Sequence, residues 1–202
     1  MYHTEYLSLD ILTYSEEDRY KFLMGTVIPR PIALVTSLNE DGVLNAAPFS
    51  QFVVISVSPP LLAFVAKERT DGLKDTVRNV LASGEFVINT VTERMAEQVQ
   101  QCSNDYPPPV SEVELVGFHP IPSSIVRPSR IAESPVQFEC RLHRTVEFGK
   151  PGSQSNLCVG EVLLVHCAEG VVSGHRVKHE MMNALGRIAG RSYIRTKHRL
   201  DV

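Results

Sequence analysis

The chain has 202 residues, 43% of them hydrophobic, with a net charge of −3 and a pI near 6.2. That is enough apolar material for one domain with its own core, burying on the order of 70% of its extended surface, and the slight acidity gives no general attraction for nucleic acid or an anionic membrane. No basic leader followed by an apolar run opens the chain, and no apolar stretch approaches the roughly 18 residues of a membrane span, so a cytoplasmic protein is expected.

Residues 1 to 15 mix Tyr, His, Ser and Leu without periodicity and read as an arm that packs on the domain or on a partner subunit. Ser15-Glu16-Glu17-Asp18 then signals a helix, with Ser15 as N-cap and acids in the first turn, running through Tyr20, Phe22, Leu23 and Met24. Pro29 and Pro31 fix φ and hold Arg30 extended at the entrance of a strand from Ile32 to Leu38. Asn39 to Gly42 supplies turn chemistry, and Asn45-Ala46-Ala47-Pro48-Phe49-Ser50 follows as a second extended run. Its small side chains let a flat ligand approach the backbone closely. Phe52 to Val57 and Leu61 to Ala66 read as two strands separated by Ser58-Pro59-Pro60.

The stretch Arg69 to Thr76, RTDGLKDT, places a turn at Asp71-Gly72 ahead of a helix that begins at Lys74-Asp75-Thr76 and stops at Gly84. A helix N-terminus offers free amides and partial positive charge, and Arg69, Lys74 and the Thr76 hydroxyl add donors, which together suit a phosphate monoester. The competing reading is that Asp75 or Thr76 simply caps the helix while Lys74 is solvated.

Glu85 to Val91 is another apolar strand, and Thr92 to Cys102 has helix-forming composition. Three consecutive prolines at 107 to 109 make Ser103 to Val110 a surface loop or lid, and Pro- and Ser-rich Phe118 to Ser134 continues it, so that 103–134 is expected as irregular cover. From Pro135 to Phe148, Val136, Phe138, Cys140, Leu142, Val146 and Phe148 alternate with Gln137, Glu139, Arg141, His143, Thr145 and Glu147. That pattern is a strand with one solvated face. Gly149 to Gly152 turns it into a partner strand, Leu157 to Cys167. Pro151 follows Lys150 where a phosphate-binding P-loop needs Ser or Thr, which excludes that motif. The basic run Arg187, Arg191, Arg195, Lys197 and Arg199 reads as a solvated tail.

Short strands, tight turns and few helices predict a mainly β protein: a closed antiparallel Greek-key barrel with peripheral helices. There is no G-x-G-x-x-G for a dinucleotide fold and no G-x-S-x-G nucleophile elbow. The four cysteines lack C-x-x-C spacing and read as buried free thiols. Cys140 with His143, and His166 with Cys167, do not have metal-ligand geometry on a strand, while His175 and His179, spaced to share a helix face, lack an H-E-x-x-H pattern and read as surface residues. No metal site and no catalytic side chain is assigned, which leaves the chemistry to a bound cofactor.

PRPIALVTS, NAAPFS, the Ser58-Pro59-Pro60 turn, RTDGLKDT and GRIAGRSY at Gly186 to Tyr193 stand in this order over roughly residues 20 to 193. In that arrangement the chain resembles the flavin reductase-like family of FMN-binding split barrels, which includes flavoredoxins and the reductase partners of two-component monooxygenases. The resemblance implies an NAD(P)H-dependent flavin reductase with FMN as cofactor and NAD(P)H as transient donor, or a flavoredoxin-type FMN electron carrier serving a protein partner. It places Asn45, Ala46, Ala47 and Pro48 along the ring and ribityl chain, mainly through backbone groups, and gives Ser50 a hydrogen bond to the cofactor. Arg69, Lys74, Asp75 and Thr76 hold the phosphate, Asp75 through its amide, and Arg30 is a further candidate. It assigns Gly186, Arg187, Gly190 and Tyr193 to packing beside the site, and implies a homodimer with FMN near the interface and a monooxygenase or electron-transfer partner. One departure stands out: the G-D-H tripeptide that short-chain flavin reductases carry for the nicotinamide donor is absent, and Gly174-His175 is its faint echo.

Overall fold

The computed structural model describes residues 5–107, 109–196 and 200. Pro108, Lys197 and Arg199, together with the first four residues of the expected arm, lie outside the described residues. Helix α1, Glu16–Thr26, begins as its acidic first turn requires, with Ser15 Oγ accepting the Asp18 amide at 3.1 Å. None of its residues is buried.

Seven strands form one antiparallel sheet: β1 Ala33–Leu38, β2 Leu44–Phe49, β3 Phe52–Val57, β4 Pro60–Lys67, β5 Glu85–Thr90, β6 Val136–Phe148 and β7 Ser155–Cys167. Their order is β2-β1-β5-β6-β7-β4-β3. β2 and β3 are therefore the two edges, yet only Ser50 and Gln51 separate them in the chain. Laid flat, seven strands would set the edges roughly 29 Å apart at about 4.8 Å per spacing, whereas the linker reaches only about 11 Å. The sheet must curl until its edges approach. No ladder joins β2 to β3 among the described residues, so the closed ring expected from the sequence is not completed by backbone pairing at this seam.

Helix α2, Asp75–Ser83, lies across the curl, burying Val77 and Val80 with Phe49, Leu62, Phe64, Phe86 and Ile88. Phe64 meets Phe49 at 4.7 Å and Phe86 edge-on at 5.7 Å between ring centroids. Burying each such side chain contributes roughly 1.5–3 kcal/mol. Gly160 of β7 is required here, because a Cβ at that position would stand 2.2 Å from Phe86 Cζ. A second core gathers Ile32, Leu34, Met95, Val99, Val113 and Ile131 beneath helices α3, Ala96–Gln101, and α4, Glu112–Leu115.

Three details differ from the sequence reading. Gln137 and Glu139, expected on the solvated face of β6, are buried, because residues 118–134 fold over that face. Glu139 accepts the amides of Ser124, Ile125 and Val126 at 2.7, 2.6 and 3.1 Å and pairs with His166 Nε2 at 2.7 Å. Burial works against its charge, but those hydrogen bonds prevail and hold the carboxyl below the usual glutamate range. Cys167 is exposed, unlike the other three thiols. His175 lies before the four-residue helix His179–Met182 and so shares no helix face with His179.

Candidate functional site

The short strand Arg30–Pro31 pairs with Leu185–Arg187, which pairs in turn with Tyr193–Arg195. This clip brings the GRIAGRSY segment beside the start of β1. Gly186 is needed at the crossing, since a Cβ there would meet Pro29 and Ile194 at 2.9 Å. The Arg187 guanidinium stacks on the Tyr193 ring at 4.6 Å, and both hydrogen-bond Gln100 Oε1, at 3.2 and 3.0 Å. Arg187 is thus fixed rather than solvated, and Arg195 pairs with Glu93 at 2.7 Å.

Against this clip lies a cleft of about 330 Å³ whose walls include Tyr20, Arg30, Pro48, Ser50, Arg187 and Tyr193. That volume lies in the range of small-molecule sites. Arg30 is 7% exposed and spends its donors internally, on the carbonyls of Met24, Val27 and Ile188 and, at 3.4 Å, on Ser50 Oγ. Burial, helped by nearby Arg187, lowers its pKa, with Tyr20 acting the other way. Arg30 therefore braces the wall of the cleft.

Pro48 also lines a second, tighter cleft of about 50 Å³, shared with Asn45, Ala47, Arg69, Lys74, Asp75 and Thr76. Seven of the ten anticipated residues meet here. Ser50 and Arg30 line the neighbouring cleft, and Ala46 is fully buried beneath. Lys74 occupies the N-cap of α2 with extended φ and ψ and no side-chain cap, so neither Asp75 nor Thr76 caps the helix. The residue is half-buried, and its ammonium has no hydrogen-bond or ion-pair partner among the described residues. Thr76, 1% exposed, accepts from Asn45 Nδ2 at 3.0 Å, which keeps its own proton available. The helix terminus, the free ammonium and this hydroxyl fit a phosphate monoester.

Arg69 is differently disposed. Its Nε, Nη1 and Nη2 donate to Asp71, Asp105 and Asp75 at 3.2, 3.2 and 3.1 Å. Burial disfavours its cation, but the Asp105 hydrogen bond and the charges of Asp75 and Asp71 outweigh that and raise its pKa. Asp75 also pairs with Arg78.

β2 is an edge strand, and two of its outward backbone groups are already used. Ser111 Oγ donates to the Leu44 carbonyl at 2.7 Å, and the Ala46 amide donates to Glu112 Oε2 at 3.1 Å. Alternation along the strand turns the Ala46 and Pro48 carbonyls to the same side, and Pro48 has no amide. Ala46 is fully buried, so at Pro48 the backbone offers a ligand a carbonyl and no amide. A third cleft, also about 330 Å³, lies beyond Asn45 and Asp75 between the Asn39–Asp41 turn and Arg78.

A family model for the flavin reductase like domain matches residues 24–182. The chain belongs to that family. Nitrilotriacetate monooxygenase component B from Bacillus cereus is 32% identical, covering 98% of this chain and 100% of its own, with a TM-score of 0.94. The Pseudomonas fluorescens 2-nitrobenzoate 2-nitroreductase NbaA is 34% identical, covering 97% and 95%, with a TM-score of 0.89. The flavoredoxin of Desulfovibrio vulgaris (Miyazaki F), 18% identical over 87% of this chain and 91% of its own, shares the fold at a TM-score of 0.74.

Within this flavin reductase like domain, sequence reasoning missed Glu112 and Asp105. The Ser111-x-x-Glu114 spacing forms the start of α4, Ser111 Oγ accepting the Glu114 amide at 3.4 Å, but it says nothing of Glu112 turning inward. Burial pushes the Glu112 carboxyl above the usual range, while its own amide and that of Ala46 work the other way. The proline-rich loop marked a lid, and Ser103, Asn104, Asp105 and Tyr106 do line the tighter cleft. No local pattern showed that Asp105 reaches Arg69.

Among the described residues no helix is long and apolar enough to cross a membrane.

Proposed function

We propose that this member of the family is a single-domain, cytoplasmic FMN oxidoreductase in which NAD(P)H reduces the bound flavin. The observation that carries the reading is Lys74, without a partner among the described residues, at the N-terminus of α2 in a tight cleft that Pro48 joins to a larger one. When bound, FMN supplies a ring that accepts a hydride from a nicotinamide at N5. Lys74, the first amides of α2 and Thr76 would hold its phosphate; Asn45 orients Thr76 by the hydrogen bond between them. The Pro48 carbonyl would face a donor on the ligand, Ser50 offers a hydroxyl, and Arg30, Arg187 and Tyr193 keep the larger cleft in shape.

A second reading is a flavoredoxin-type carrier that keeps FMN and exchanges electrons with a protein. In its favour, Gly174 and His175 turn the small hairpin Val172–Ser173/Arg176–Val177 and line none of the three clefts. A monooxygenase is a candidate partner, since one similar structure bears the name of a monooxygenase component. A homodimer with FMN near the interface belongs to the same proposal. It is supported by the exposed Val53, Val54, Ile55 and Val57 of edge strand β3 and by Leu7 and Leu12 of the arm.

The visible spectrum of the purified protein, followed by separate additions of NADH and NADPH, tests the reading. Bleaching of the flavin band by either nucleotide is expected. A yellow protein that neither nucleotide bleaches would transfer the assignment to the carrier, and a colourless one that takes up no FMN would remove both.

A further inference from the structure

The charges around the tighter cleft nearly cancel. Arg69, Lys74 and Arg78 stand near Asp71, Asp75, Asp105 and Glu112, and all three nitrogens of Arg69 already hold carboxylates. Two of its five N–H donors are left over, and a phosphate drawn to Arg69 competes for its charge with the carboxylate that borders the cleft. Asp75 is 17% exposed, fixed as the first residue of α2 and shared with Arg78, so it does not leave. Asp71 belongs to the same tight turn as Arg69, where Arg69 and Gly72 exchange backbone hydrogen bonds at 2.9 and 3.1 Å, and it does not line the cleft. Asp105 is 72% exposed, comes from the opposite wall, and lines the cleft with Ser103, Asn104 and Tyr106.

We propose that Asp105 is a specificity-determining residue: its carboxylate holds the place on Arg69 that a phosphate takes, and so sets how strongly the site prefers a phosphorylated flavin over an unphosphorylated one. This rests on the reading of the site as an FMN site. An anion arriving at Arg69 exchanges with Asp105, while a flavin lacking phosphate leaves the Arg69–Asp105 pair intact. An exposed ion pair is worth up to about fivefold in an equilibrium constant, and a phosphate must first give back that amount. The internal carboxylate therefore narrows the FMN-to-riboflavin affinity ratio and keeps FMN exchangeable.

The test is calorimetric titration of full-length parent, Asp105→Asn and Asp71→Asn proteins with FMN and with riboflavin, alongside thermal melts of each without ligand. In Asp105→Asn the FMN Kd falls about two- to fivefold. The riboflavin Kd stays at the parent value, and the ligand-free variant melts about 1–4 °C lower, the lost Arg69–Asp105 pair read as stability. Asp71→Asn changes the ratio less. If the parent binds FMN but Asp105→Asn leaves the FMN-to-riboflavin ratio where it was, or tightens both flavins equally, the role of Asp105 is refuted and the FMN reading stands. If the parent binds neither flavin, the FMN reading fails and the proposal falls with it.

Discussion

Replacing Lys74 with alanine separates the anchoring role from a structural one. In the free protein the Lys74 side chain caps nothing and pairs with nothing among the described residues, so removing it leaves no buried group unsatisfied. Such a substitution changes stability by no more than about 0.5 kcal/mol, roughly 1–2 °C for a domain of this size. In the loaded protein it removes one charge-assisted hydrogen bond to a phosphate, worth about 1.5–3 kcal/mol, or roughly 10- to 150-fold in Kd. Titration of FMN by fluorescence quenching gives the second quantity, and melting of the ligand-free protein gives the first. The loss should shrink as salt is raised, because the ammonium of this half-buried residue is partly screened. Equal FMN affinity in mutant and parent, or a melting loss that accounts for the whole affinity change, would refute the reasoning.

Glu139→Gln puts an amide NH₂ among three backbone donors, leaving at least one buried donor unpaired; a loss of about 3 kcal/mol and roughly 6–12 °C in Tm is expected, measured by calorimetry. Because the folded pKa of Glu139 is depressed, its contribution is present above the unfolded value near 4.3 and is lost as pH falls through the folded one, so the parent should lose Tm on acidification more steeply than the variant. Parallel pH profiles would contradict this. Gly160→Ala should cost about 1–3 kcal/mol in chemical denaturation, since the new methyl collides with a Phe86 ring already held against Phe64; a neutral result would mean that the ring can move aside. Val54→Lys, at a position 63% exposed, should leave the protomer's stability within about 0.5 kcal/mol while shifting sedimentation toward monomer; a sedimentation profile identical to the parent's would remove β3 from the interface.

What could be read from the sequence was what neighbouring residues decide. Ser15 with its acidic first turn, the Asn39–Gly42 turn and the stop at Gly84 each rest on local backbone chemistry, and each is where the residues said. The gathering of Asn45, Ala47 and Pro48 with Arg69, Lys74, Asp75 and Thr76 into one cleft came from motif order, and the curled sheet supplies the proximity. The remainder depended on partners far along the chain. Gln137 and Glu139 alternate like solvent-facing residues, and only the folding of residues 118–134 over them makes them interior. Arg69 looked like a free phosphate ligand because Asp105 lies 36 residues away, and Arg30 looked available because the carbonyl of Ile188 lies 158 away. The Arg187 run looked like a solvated tail because neither Gln100 nor Glu93 is near it in sequence.

The unpaired edge at β2 carries a hazard that sheets generally have to manage: an open row of amides and carbonyls invites a strand from another molecule and seeds aggregation. Here Pro48 withholds the amide such a strand would need, and Ser111 and Glu112 already occupy the Leu44 carbonyl and the Ala46 amide. Among the described residues the other edge, β3, has no such guard. Strand addition is thus discouraged at β2, beside the clefts, and left open at β3 across the seam.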